Sequence, residues 1–159
     1  MKQVLIIALL AVSFSCKKKE NSPAETTPTQ QPVVTPPVVS VKVNGNDFTY
    51  NTTSSYYINP TRSVNFLNNT TSEQISIRFL SAPTTGTFTL VKYGNPSIQY
   101  YKNSNLHSSV NGTLIVNAVS TNTNNIITKL NCTFNCQTDT NTTTSTFYNL
   151  TNGSFDYNQ

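Results

Sequence analysis

Val39-Ser40-Val41-Lys42-Val43-Asn44-Gly45-Asn46-Asp47-Phe48-Thr49-Tyr50 is the stretch that decides the fold. Val39, Val41 and Val43 fall on one face of an extended chain, because successive strand residues point to opposite sides. Asn44-Gly45 then supplies two residues that tolerate positive φ, the requirement of a type I′ hairpin turn. Phe48 and Tyr50 return on the apolar face. A half-buried β-hairpin is the expected outcome.

The same alternation recurs outward from this hairpin. Val64 and Phe66 precede a polar turn at Asn68 to Ser72, and Ile75, Ile77 and Phe79 follow it. Phe88 and Leu90 come after Gly86, and Ile98 and Tyr100 after Gly94-Asn95-Pro96. Leu114 and Val116 follow Asn111-Gly112; Leu130, Cys132 and Phe134 alternate; Phe155 and Tyr157 follow Asn152-Gly153. Asn-Gly is a hairpin signal, so turns are expected at 111–112 and 152–153 as well. The domain is rich in Thr, Asn, Tyr and Phe, which favours strand and turn over helix. No window keeps apolar residues at helical spacing over three turns. The expected fold is all-β, an antiparallel β-sandwich or partly closed barrel of about 8–10 short strands.

This domain occupies 39–159, and a different composition precedes it. Lys2 and the apolar run Val4 to Val12 have the form of a signal peptide over 1–15. The run is far shorter than the roughly 20 residues of a membrane span. Ser13 and Ser15 suit a signal peptidase, and Cys16 offers the thiol that a lipoprotein peptidase requires. Lipidation of Cys16 is therefore expected, and two or more acyl chains give a stable membrane anchor. Residues 16–38 contain Pro23, Pro28, Pro32, Pro36 and Pro37 with Thr, Gln and Glu. Such a segment buries too little apolar surface to fold. At polyproline-II extension it spans up to roughly 70 Å as a tether.

Ser13-Phe14-Ser15-Cys16-Lys17-Lys18 resembles the relaxed lipobox of Bacteroidetes-type lipoproteins. The domain carries Gly86-Thr87-Phe88-Thr89-Leu90, Asn111-Gly112-Thr113-Leu114-Ile115-Val116 and Thr151-Asn152-Gly153-Ser154-Phe155. In this rhythm it resembles small Bacteroidetes-type lipoproteins of a domain-of-unknown-function family. It departs from that pattern at Cys132, where the family has glycine. The resemblance implies a cell-envelope location and a β-rich fold, and it brings no activity or site residues with it. Lys17 is not the acidic residue that retains lipoproteins at the inner membrane of enteric bacteria, which points to the outer membrane.

The net charge of +4 does not imply nucleic-acid binding. Lys42, Arg62, Arg78, Lys92, Lys102 and Lys129 stand against Asp47, Glu73, Asp139 and Asp156, without the clustered basic face that nucleic acid needs. The expected partners are the membrane, through the lipid, and a glycan or protein.

Catalytic and metal signatures are not expected. His107, the single histidine, lies among Asn105, Leu106, Ser108 and Ser109 and reads as a solvated loop residue. Asp47 and Asp156 sit beside Asn-Gly pairs and read as turn residues. Cys132 and Cys136 are either a disulfide or two free thiols. Residues four apart in a straight strand lie ~13 Å apart, beyond the ~7 Å limit for a bridge, so a disulfide needs a bulge between them. One histidine and one Cys-x3-Cys pair make a poor zinc set, and no cofactor is implied. Tyr56-Tyr57 and Tyr100-Tyr101 place one ring on each sheet face. Outward rings are candidates for stacking on a ligand; cross-strand packing is their ordinary structural use. The leading expectation is a non-enzymatic, lipid-anchored binding or structural protein. The rival is an envelope hydrolase of surface glycan or peptide, recruiting Asp47, Glu73, His107 or Asp139.

Overall fold

A computed structural model describes residues 38–140 and 145–159. The signal peptide, Cys16 and the tether to residue 37 lie outside the described residues. Val38, assigned above to the tether, is the first residue of a strand.

The described residues form ten strands and no helix. They are β1 (Val38–Val43), β2 (Asn46–Asp47), β3 (Thr52–Ile58), β4 (Thr61–Asn68), β5 (Glu73–Phe79), β6 (Gly86–Thr89), β7 (Ser97–Lys102), β8 (Asn105–Thr121), β9 (Ile127–Thr138) and β10 (Asn149–Asn158). All pair antiparallel in one sheet, in the order β2-β1-β10-β9-β8-β7-β5-β4-β3, with β6 beside the distal part of β8. The sheet curls into a half-barrel. The expected fold class is therefore the observed one, although β8, β9 and β10 are 17, 12 and 10 residues long rather than short.

Asn44 and Gly45 take φ of 48° and 84° and close the β1–β2 hairpin, as their sequence requires. The Asn44 backbone N–H also donates to the Asn149 carbonyl at 2.8 Å, and its side-chain Oδ1 accepts from Asn149 N–H at 2.8 Å. One asparagine thereby shapes a turn and ties it to β10.

The other two Asn-Gly pairs are not turns. Asn111-Gly112 lies inside β8 and Asn152-Gly153 inside β10, each beside a break in strand register. The β8 break lies opposite Gln137 and Thr138 of β9, and the β10 break opposite the adjoining Phe134 to Cys136. Asn152 at φ 55° and Gly112 at φ 124° use the same tolerance of positive φ to make bulges instead of reversals. Two long strands bend where two hairpins were expected. Asp156 is consequently a mid-strand residue, paired with Asn131 and Val38.

The reverse error occurs at Asn103-Ser104. Both residues have positive φ, 48° and 65°, and join β7 to β8 with Lys102 opposite Asn105. This tight turn lacks the usual glycine, so its signal is weak. Because it begins β8 at Asn105, His107 is a buried strand residue rather than a loop residue, 1% exposed.

The concave interior is apolar. Phe66 meets Phe155 at 4.2 Å between ring centroids, Tyr50 at 5.8 Å and Tyr157 at 6.5 Å; Phe134 meets Phe155 at 5.2 Å. These rings join β4 to β9 and β10 across the fold, while Val64, Ile75, Ile77, Ile98, Leu114 and Leu130 fill the space around them at 0% exposure. Gly153 is small because the Phe134 ring lies over it: a Cβ there would sit 2.4 Å from that ring.

Candidate functional site

Strands β3, β4, β5, β7 and the start of β8 turn their other face outward, and its residues line up in three rows. Cross-strand register places Tyr56, Ser63, Arg78 and Ser97 in the first. Ser54, Asn65, Ser76, Gln99 and Ser108 form the second, and Thr52, Leu67, Gln74, Tyr101 and Leu106 the third. The face is polar, yet Ser63, Asn65, Ser76 and Gln99 are all buried. Small hydroxyl and amide groups form its floor, and the longer side chains Tyr56, Arg78 and Tyr101 flank them.

Hydrogen bonds hold the floor rigid. Asn65 Oδ1 accepts from Ser63 Oγ at 2.9 Å, from Gln74 Nε2 at 3.3 Å and from the Ser76 hydroxyl. Asn65 Nδ2 donates to Ser54 Oγ at 3.3 Å, and the Tyr101 hydroxyl donates to Gln99 Oε1 at 3.1 Å. Burial raises the Tyr101 phenol above its ordinary pKa, the Arg78 charge opposes that shift, and Tyr56 adds to it. These three long side chains thus share one electrostatic neighbourhood.

The stacking candidates separate accordingly. Tyr56, 38% exposed, and half-buried Tyr101 reach the outer face. Tyr100 is fully buried, so its candidacy for ligand stacking is withdrawn. Tyr57 points to the opposite side from Tyr56, where the Arg62 guanidinium lies 4.7 Å from its ring, so it is already occupied. Alternation along the strand divides each pair, but only the pairing shows which member faces outward.

Arg78 and Tyr93 were not singled out from sequence. They line a recess of about 140 Å³ with Leu80, Ser97, Gln99 and Ser108. The outward alternation of Gln74, Ser76 and Arg78 is legible in the chain, but their neighbours across the sheet are not.

A second cluster gathers on the inner side, at the mouth of the half-barrel. Glu73 Oε1 accepts from the Tyr100 hydroxyl at 2.9 Å and pairs with Lys102 Nζ at 3.0 Å; Oε2 accepts from Thr71 Oγ1 at 3.1 Å. Asp47 and Glu73 both line a cavity of about 160 Å³ here, with Phe48, Tyr100, Lys102 and Tyr148. His107 packs edge-on against Tyr148 at 4.8 Å, and its Nδ1 lies 3.3 Å from the Asp139 backbone carbonyl. The Asp139 carboxylate is engaged elsewhere, accepting from Ser108 N–H at 2.8 Å and pairing with Lys92 at 3.4 Å. His107 and Asp139 are neighbours without forming the carboxylate–imidazole contact that orients a general base.

Burial raises the Glu73 pKa, but the hydrogen bonds from Lys102, Tyr100 and Thr71 and the Lys102 charge outweigh it, leaving the group below 4.5. A carboxylate whose folded pKa is depressed adds stability that is present above its unfolded pKa and lost as pH falls through the folded one. The wild-type protein is expected to lose stability below about pH 4.5. Glu73→Gln should be less stable at pH 7 by about 1–2 kcal/mol, a partly exposed carboxylate being discounted for screening. The gap should narrow toward pH 3. Urea unfolding of both proteins across that range measures it, and a constant gap would refute the assignment.

Cys132 and Cys136 are free and buried on the inner side of β9. The strand between them is continuous, so the bulge a disulfide needs is not there. Burial pushes both thiols up to about 12, which makes them poor nucleophiles at neutral pH. Among the described residues no group of three or more His, Cys, Asp or Glu could hold a metal ion.

Compared with protein-family models, with curated proteins and with solved structures, the chain matches none.

Proposed function

We propose that this is an exported protein, acylated at Cys16 and held at the cell envelope on the outer membrane. Its β-domain serves as a non-enzymatic binding module at the end of the tether. The anchor rests on the apolar run ending at Ser15-Cys16 and the proline-rich segment behind it. The binding role rests on the outer face, where a floor of interlocked amides and hydroxyls is flanked by Tyr56, Tyr101 and Arg78. Such a preorganised polar surface with aromatic edges suits a glycan or a polar protein surface.

An envelope hydrolase finds less support. Both oxygens of Glu73 are taken up by Tyr100, Lys102 and Thr71, and His107 faces a backbone carbonyl. A general base works best with a pKa near the operating pH, and these bonds hold the Glu73 carboxyl below its ordinary value.

Expression in a bacterium with a lipoprotein pathway, fed a fatty-acid probe, tests the anchor. The wild-type chain should take up label and partition into detergent. Cys16→Ala should do neither. Equal labelling of the two proteins would end the anchoring proposal.

A further inference from the structure

The geometry points to a subsite on the outer face, at Arg78, for the carboxylate of an acidic saccharide, a uronate unit in a glycan chain. This inference rests on the binding-module reading and specifies its ligand class.

Charge is the first argument. Arg78 is the only charged residue in the three outward rows. Its Nε is buried without a hydrogen-bond partner, and among the described residues no carboxylate pairs with its guanidinium. Asp47, Glu73 and Asp139 are paired to Lys42, Lys102 and Lys92 instead. A half-buried guanidinium presents a planar fork of donors that matches a carboxylate bidentately. Lys92 Nζ lies 5.3 Å from the Tyr93 ring but is paired with Asp139. Arg78 thus brings the one unpaired positive charge to the recess, which suits one negative charge, whereas a doubly charged phosphate recruits several.

The recess beside it is built in advance. Asn95 Oδ1 accepts from Leu80 N–H at 2.8 Å and Asn95 Nδ2 donates to Ser81 Oγ at 2.8 Å, clamping two loops together. Gly94 N–H donates to the Val91 carbonyl at 2.9 Å and closes the turn that presents Tyr93. Tyr93 is 81% exposed and held at φ 58°. An aromatic residue in this conformation carries strain that surrounding structure must hold in place, a recurrent trait of binding sites. The recess volume of about 140 Å³ is well below the roughly 300 Å³ of a small-molecule pocket. It accommodates a side group of a longer chain lying across the face.

The remainder of the face argues for sugar over peptide. β4, β5 and β7 are paired on both sides, so a main chain could add only at the edge strand β3, two strands away from Arg78. What the face offers ligand hydroxyls is exposed Ser54 and half-buried Gln74 and Ser108 over the buried floor. For the C–H faces of sugar rings it has Tyr56, Tyr101 and the 81% exposed Tyr93, one face of whose ring meets Lys92 Nζ at 5.3 Å.

The test titrates the acylated full-length chain in detergent with galacturonate, mannuronate and glucuronate oligomers and with their carboxyl-reduced counterparts. At least one uronate series should bind ten-fold or more tightly than its reduced form, and 1 M salt should shrink the difference. Arg78→Gln should abolish the preference, and Arg78→Lys should retain part of it. Tyr93→Gly should weaken binding while keeping the fold, since its backbone conformation suits glycine. Equal binding of acidic and reduced chains, or a preference that survives Arg78→Gln, overturns the carboxylate subsite and leaves the binding module standing. Binding of no oligomer in either series overturns the uronate subsite and the glycan reading of the binding module together.

Discussion

Gly112→Ala is expected to lower the unfolding free energy by about 3 kcal/mol or more, a large share of the roughly 5–15 kcal/mol typical of a domain. Gly112 has φ 124°, and a Cβ there would lie 2.2 Å from the Asn135 carbonyl oxygen and 2.6 Å from Cys136 Cα. Both obstacles are backbone, so no side chain can swing aside. Relief requires β8 to move off β9, the longest pairing in the sheet. It would also disturb the Gly112 carbonyl that accepts from Leu90 N–H at 2.9 Å where the chain leaves β6. Gly45→Ala provides the contrast. It too has positive φ, 84°, but nothing lies within 4 Å of the added methyl, so a cost of about 1 kcal/mol is expected. Denaturant unfolding of the two variants separates steric conflict from backbone preference. A Gly112→Ala protein within 1 kcal/mol of wild type would show that the β8 bulge does not hold the strands this closely.

Phe66→Ala is expected to cost about 4 kcal/mol, in the range of buried phenylalanine truncations. Phe66 is 0% exposed and touches three rings from two other segments: Tyr50 after the first hairpin, and Phe155 and Tyr157 in β10. It fastens β4, in one arm of the curled sheet, to β10 in the other. Removing it opens a cavity among rigid rings that cannot collapse inward without distorting paired strands. Phe66→Leu keeps most of the volume and should cost about 1.5 kcal/mol. Thermal and urea unfolding, with near-ultraviolet circular dichroism reporting the tyrosines, measure both. A loss below about 2 kcal/mol for the alanine variant would mean that the arms are fastened elsewhere.

The alternation of Val64 with Phe66, and of Ile75 with Ile77 and Phe79, revealed strand and inner face together, because a period of two has one physical reading. Turn chemistry was less decisive. Asn-Gly reports a tolerance for positive φ, which serves a hairpin at 44–45 and a bulge at 111–112 and 152–153. Only the partner strand decides between those uses. Asn103-Ser104 shows the converse, a tight turn without glycine, and missing it placed His107 in solvent. The candidate site was legible only in halves. Tyr56 and Tyr101 were visible as outward candidates, but the row that brings Arg78 beside Ser63 and Ser97 depends on register between strands far apart in sequence.

The pairing of β1 with β10 sets an order of events. Val38 lies opposite Asp156 and Val43 opposite Leu150, so the earliest segment of the domain to be made has its place beside the latest. A ribosome delivers the chain amino end first, and the β1–β2 ribbon must wait, edge unoccupied, until β10 arrives. Closure so distant in sequence slows folding. The newborn domain therefore stays open until β10 has been made, and loss of that strand would leave β1 and β9 each without a partner along one edge.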